Sequence, residues 1–183
     1  MKATLQVKQI SSDEAKARAF AIRMRVFVRE QRVPAEIELD DDDARAIHFL
    51  ASVAGKAAGT ARIVMHGSRA KIGRMAVLKS YRGRGIGEKL LRRAIAKAKQ
   101  LGARTIYLNA QVPVIGFYEQ LGFRAVGRVF DEAGIAHRKM ILQKERKERK
   151  KELTAKHVLS KVEGSAKGAK KNAQGRPAGR PSG

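Results

Sequence analysis

The 183-residue chain contains no cysteine. That excludes disulfides, thiolate metal sites and covalent catalysis through a thiolate. Tryptophan is also absent, and the aromatics are 3 tyrosines and 6 phenylalanines. None of them falls in the last forty or so residues, so that stretch has no platform for stacking bases. The 4 histidines, His48, His66, His137 and His157, show no ligand-like spacing, so no structural metal is expected. No apolar run approaches the length of a membrane span, and the first residues, Met1-Lys2-Ala3-Thr4, do not open a signal-peptide apolar region. A cytoplasmic protein is expected. Acidic residues are scarce, 17 against 40 Lys and Arg, a formal net charge of +23. Residues 143–183 hold 13 Lys/Arg and 4 Asp/Glu, so +9 sits there and +14 on residues 1–142. Such a field draws polyanions and suits a ligand with several phosphates; a basic body is equally what a host with a basic proteome would make.

The residues present are patterned. Thr4 to Ile10 alternates as a strand. Ser11 and Glu14 have capping-box spacing and open a helix whose buried stripe is Ala15, Ala19, Ile22 and Val26. Pro34 lies beyond its end. From Glu36 to Asp43, six of eight residues are acidic, and this run reads as a loop. Three strand patterns follow, Ile47 to Ala54, Ala57 to Met65 and Lys71 to Leu78. A long helix from about Ile86 to Leu101 precedes a strand from Arg104 to Gln111. Pro113 opens a short helix that Gly122 ends, and Arg124 to Phe130 and Ile135 to Leu142 close the pattern as strands around Asp131-Glu132-Ala133-Gly134. The order predicts an α+β fold with a mixed sheet. From Gln143 the composition turns to Lys, Arg, Ala and Gly. Residues 143–183 are expected to be a basic, largely disordered tail behind a folded domain of residues 1–142.

The chemistry concentrates at Arg82, Gly83, Arg84, Gly85, Ile86 and Gly87, between a strand pattern and the long helix. A helix N-terminus presents unpaired N–H groups and partial positive charge, and glycines let its backbone approach a ligand closely. The arginines add bidentate donors. The expected ligand is a pyrophosphate. The glycines do not follow the dinucleotide spacing G-x-G-x-x-G, and no acid occurs between Glu88 and Glu119 to hold a ribose. Gly87 leads into Glu88 and Lys89, which a Walker loop does not allow.

This stretch resembles the central motif of the GNAT N-acetyltransferase superfamily, Arg/Gln-x-x-Gly-x-Gly/Ala, matched by Arg82, Gly85 and Gly87. Tyr107 to Gln111 and Gly116 to Phe123 look like that superfamily's later strand and Tyr-bearing helix. Arg25 to Gln31, the acidic run from Glu36, and His48-Phe49 look like its ElaA/YjcF-like branch. The resemblance spans roughly residues 4–142. It implies a mostly antiparallel sheet flanked by helices, and transfer of an acetyl group from acetyl-CoA to a primary amine by direct attack in a ternary complex. On that model Met75, Ala76 and Val77 offer backbone groups to the pantetheine arm and the 82–87 loop holds the pyrophosphate. Asn109 bonds the arm, and Tyr118 is the general acid for the leaving thiolate or merely packs there. The general base is open among Glu36, Glu38, Asp40, His48 and His137, with Glu36 and His48 foremost. The acidic run either attracts a cationic amine or forms solvated surface, and Arg25 and Glu30 are expected to form a structural ion pair. Nothing in the pattern selects among aminoglycoside, polyamine, peptide or amino sugar acceptors.

The alternative is a nucleic-acid-binding protein that uses an acetyltransferase-like scaffold and the basic tail. Gly175-Arg176-Pro177 and Gly179-Arg180-Pro181 resemble half of an AT-hook, but Gln174 and Ala178 stand where a basic residue is usual. Non-specific nucleic-acid contact through the tail is the expectation there.

Overall fold

The computed structural model describes residues 4–143. Contacts divide the chain at the end of that range, into Met1–Gln143 and Lys144–Gly183. The expected tail, its disorder, its half AT-hooks and its nucleic-acid contact lie outside the described residues.

Seven strands form one sheet in the order β1-β2-β3-β4-β5-β7-β6. They are β1 (Leu5–Ile10), β2 (Ile47–Val53), β3 (Lys56–His66), β4 (Arg69–Val77), β5 (Thr105–Gln111), β6 (Phe123–Glu132) and β7 (Ile135–Leu142). Every pairing is antiparallel except β4 with β5. The helices are α1 (Asp13–Arg23), the short α2 (Ala35–Glu38) and α3 (Asp42–Arg45), α4 (Ile86–Gln100) and α5 (Ile115–Gln120). The expected mixed, mostly antiparallel sheet with flanking helices is thus the observed one.

Side-chain period decides which face each element buries. On α4, Ile86, Leu90, Leu91, Ala94 and Ala98 are buried in the main core, and they recur at helical spacing. Each fully buried leucine there contributes about 1.5–3 kcal/mol through area removed from water. β5 sends Ile106, Leu108 and Ala110 into the same core. Tyr107, Asn109 and Gln111 therefore stand on the opposite face of the sheet. A second cluster, Ala19, Ile22, Val26, Leu50 and Ala76, packs α1 on that other face.

Three local expectations change. The N-cap of α1 is Ser12, whose Oγ accepts from Ala15 N at 3.3 Å. Ser11 lies one residue too early for that bond. The first helix does not simply end; it widens into π-helical turns over Met24–Glu30, and Gln31 N donates to Val26 O at 3.1 Å. The acidic run is not a loop, because it folds into α2 and α3 around three arginines.

Those arginines come from three elements. Arg23 of α1 donates through Nε to Glu38 Oε1 at 2.6 Å and through Nη1 to Asp43 Oδ1 at 2.7 Å. Arg62 of β3 meets Asp40 Oδ1 and Asp43 Oδ1, both at 2.6 Å. Arg74 of β4 reaches Asp40 Oδ2 at 2.9 Å and the Glu38 carbonyl at 3.0 Å. Arg23 and Glu38 are only 1% and 2% exposed. Burial alone would raise the Asp43 carboxyl, but hydrogen bonds from Arg23 and Arg62 outweigh it and hold the group well below its ordinary range. The Arg62 hydrogen bond likewise lowers Asp40. Burial pushes Glu38 above its ordinary value, while Arg23 and Arg74 pull it back. This part of the run is a structural clasp between α1, β3 and β4.

Candidate active site

β4 and β5 pair only where Arg69 to Lys71 meets Thr105 to Tyr107. Beyond that point the two strands part, and β4 keeps only its β3 neighbour. An extra residue also enters β4 between Gly73 and Ala76, and Arg74 there takes φ 50°. The result is a wedge with an unpaired strand edge on one side. A cavity of about 880 Å3 fills the wedge. Such an edge can accept an extended ligand as an added strand.

Met75, Ala76, Val77, Arg82, Gly83, Gly85, Ile86, Gly87, Asn109 and Tyr118 all line this cavity. The loop enters α4 through Gly85, which caps the helix at φ 71° in the left-handed region. No side chain caps that end, so the first N–H groups of α4 remain for a ligand. A Cβ built on Gly83 or Gly85 meets nothing within 4 Å. Open space beside uncapped amides is what a bound phosphate group needs. Arg84 does not line the cavity; its guanidinium lies over the Tyr81 ring at 5.5 Å. Arg82 is held too. Its Nη1 and Nη2 donate to Glu30 Oε1 and Oε2 at 2.6 and 2.8 Å, and its Nε to Val77 O at 3.0 Å. Glu30 therefore pairs with Arg82, not with the expected Arg25.

Tyr118 sits on α5 beside Phe117, with ring centroids 5.0 Å apart. Its hydroxyl points at Met75 Sδ, 3.9 Å away. Burial pushes the phenol up to about 12, so it keeps its proton across the working range.

The candidate bases separate. Glu36 is exposed on α2 and does not line the cavity. His48 is 1% exposed, its ring stands edge-on to Phe20 at 5.5 Å, and Nε2 bonds the Asp43 carbonyl at 3.0 Å. Burial lowers its affinity for a proton, and it too is absent from the cavity wall. Neither Glu36 nor His48, the foremost candidates from the sequence, stands at the cavity. Asp40 is also outside the lining; Glu38 lines it but is committed to Arg23 and Arg74.

His137 does line the cavity, and so does Glu132. Sequence reasoning missed Glu132, which looked like part of a turn. Its Oε2 accepts from Asn109 Nδ2 at 2.9 Å. Gln31 and Gln111 were missed as well, and they are joined across the cavity wall at 2.8 Å. Strand register was the signal required: Gln111 lies opposite His137 and Asn109 opposite Lys139, which puts all four on one face.

Comparison with known proteins agrees with this architecture. The model of the Acetyltransferase (GNAT) family matches residues 14–123. The uncharacterized N-acetyltransferase YjcF of Bacillus subtilis is 36% identical over 124 residues, 67% of this chain and 89% of YjcF. The crystal structure of Escherichia coli ElaA superposes with a TM-score of 0.69 at 25% identity, covering 76% of this chain and all (100%) of ElaA. An acyl-CoA N-acyltransferase from Pseudomonas aeruginosa superposes with a TM-score of 0.67 at 28% identity, covering 77% of this chain and 99% of that one. No helix among the described residues is long and apolar enough to cross a membrane. The chain belongs to the GNAT acetyltransferase family, in the branch of ElaA and YjcF, and its reaction class is acyl transfer from an acyl-CoA to an acceptor.

Proposed function

We propose that this protein transfers an acetyl group from acetyl-CoA to a primary amine by direct attack in a ternary complex. One observation carries the reading: a single cavity is lined by an uncapped helix N-terminus, an unpaired strand edge and a protonated tyrosine. These are a phosphate site, a site for an extended amide-bearing arm, and a hydrogen-bond donor for a leaving sulfur.

The roles follow by position. The amides of Gly83 to Gly87 hold the pyrophosphate, and Arg82 fixes the loop through Glu30. Arg84 adds positive charge from its place over Tyr81. The backbone of Met75, Ala76 and Val77 receives the pantetheine arm and polarises the thioester carbonyl. Asn109 borders the arm from β5. Tyr118 donates to the departing sulfur. The absence of cysteine favours direct attack over a thiol acyl-enzyme.

The test is an acetyl-CoA consumption screen against a panel of primary amines, with free thiol as the readout. Amine-dependent thiol release with intersecting initial-rate lines is expected. Parallel lines would mean an acyl-enzyme. No release with any amine, or release from a longer acyl-CoA alone, would overturn the acetyl reading.

A further inference from the structure

We infer that His137 is the general base, and that the acceptor enters on the sheet face opposite α4, between Gln111, Glu132 and His137. The inference rests on the acetyl-transfer reading and adds to it the side of entry and the group that deprotonates the amine.

Side of entry comes from register. Leu108, Ala110 and Met140 are buried in the core under α4. Their alternates Asn109, Gln111, His137 and Lys139 stand on the other face. In β6, Phe130 lies opposite His137 and Glu132 opposite Ile135, so Glu132 joins that face. The phosphate loop opens at the N-terminus of α4, and Tyr118 packs with the α4 core. The wedge therefore connects a cofactor side to a distinct polar side through the parted strands.

The base is assigned by its hydrogen bond. His137 Nδ1 lies 2.8 Å from the Ile135 carbonyl. A carbonyl only accepts, so Nδ1 carries the proton. In the neutral ring the lone pair then sits on Nε2, and no described residue bonds Nε2. The Phe130 ring, stacked at 6.2 Å and 24°, holds the imidazole plane. His48 shows the reverse arrangement, with Nε2 committed to a carbonyl in the core.

The charged and titratable groups around His137 are few. Glu132 of β6 shares its face of the sheet, opposite Ile135, and is held by Asn109. Lys139, two residues along β7, lies over the Tyr107 ring at 4.9 Å. Lys71 of β4 and Tyr118 of α5 line the same cavity. Arg138 points away, to Gly127 O at 3.2 Å, and Asp131 caps the Gly134 amide at 3.0 Å. A carboxylate lining the same cavity on the same face suits a cationic acceptor, so the substrate class is an ammonium compound.

The proton count closes. The ammonium gives its first proton to Nε2, and the freed lone pair forms the C–N bond. The C–S bond breaks, and the sulfur leaves with the proton of Tyr118. The nitrogen loses its second proton as the amide forms, which restores the phenol. The imidazolium returns the first proton to solvent.

The decisive variant is His137→Asn, whose Nδ2 can replace the Nδ1 donor to Ile135 but which offers no base. Wild type and variant are compared for pH-rate profile, acetyl-CoA affinity by calorimetry and melting temperature. For an acceptor that is cationic at neutral pH, turnover should fall about 100-fold, and the variant's rate should keep rising with pH towards the acceptor's own pKa. Acetyl-CoA affinity should stay within twofold. A hydrazine, neutral at the same pH, should be acetylated by the variant at close to the wild-type rate. His137→Gln, read the same way, replaces the Asn variant should that one not fold. A variant within threefold of wild type on the cationic acceptor, with an unchanged profile, overturns His137 while leaving acetyl transfer standing. Wild-type protein that acetylates no amine overturns the underlying reading, and the inference with it.

Discussion

Arg82 and Glu30 stand 52 residues apart in the chain and meet through paired bonds of 2.6 and 2.8 Å. The pair ties the phosphate-loop candidate to the π-helical turns after α1. Side-chain hydrogen bonding to Arg82 lowers Glu30, and the same bond raises Arg82, so both stay charged. The pair is over a third exposed, so its effect on global stability is small. Its effect is on where the loop sits.

Arg82→Ala should therefore weaken acetyl-CoA binding about tenfold, or about 1.4 kcal/mol. Glu30→Gln keeps one acceptor for Arg82 and should cost about threefold. Titration calorimetry of the two variants and the double variant measures the coupling. A double variant no worse than Arg82→Ala is expected, because both act on one bond pair. Full additivity would mean that Arg82 touches the phosphates itself.

Tyr118→Phe keeps the ring and removes the hydroxyl. Turnover should fall about 100-fold with acetyl-CoA affinity nearly unchanged. Because the phenol is pushed up to about 12, wild-type activity should show no loss from its ionisation below about pH 11. Stopped-flow thiol release for the two proteins checks both points. A variant within threefold of wild type would leave Tyr118 a packing residue.

The arginine clasp makes a stability prediction with a definite sign. Asp43 and Asp40 are held below their unfolded values, so the stability they provide is present above about pH 4 and lost progressively as pH falls below it towards their lowered folded values. Glu38, raised by burial, acts in the opposite sense. The first two should dominate, because Asp43 is bound by two guanidiniums at 2.6 to 2.9 Å. Asp43→Asn leaves Arg23 buried with less compensation and should cost about 3–5 kcal/mol. Melting curves from pH 7 to pH 3 should show a lower starting point and a flatter acid decline than wild type. An unchanged acid slope would remove Asp43 from the clasp.

The parts of the fold that the sequence declared were those governed by local period. The apolar stripe of α4 and the alternation of β5 needed no partner to be read, and the glycine run ahead of α4 marked the helix entrance. What stayed hidden depends on partners brought from far along the chain. Six acids in eight residues looked like a solvated loop, because Arg23, Arg62 and Arg74 are not visible as their neighbours. His48 and His137 both sit in strand patterns and are indistinguishable there. Only register separates them, placing one in the core against Phe20 and the other on the cavity wall.

The tail can be tested apart from the site, since the cavity-lining residues run from Val26 to His137. A chain ending at Gln143 should acetylate small amines as well as the full chain does. Its binding to duplex DNA should differ. The segment carries 13 Lys/Arg and 4 Asp/Glu. Each phosphate neutralised contributes a slope of roughly −0.9 in log affinity against log salt. Glu145, Glu148, Glu152 and Glu163 oppose the cations, and not all of these engage one duplex together. A loss of about three to five units of slope is expected on removing the segment. Little sequence preference should accompany the binding, because phosphate contacts position a protein without reading bases. Salt titrations of both proteins on one duplex give the comparison. Equal slopes would move the polyanion site to the basic body, whereas lost acetylation in the shorter chain would make the segment part of the acceptor site.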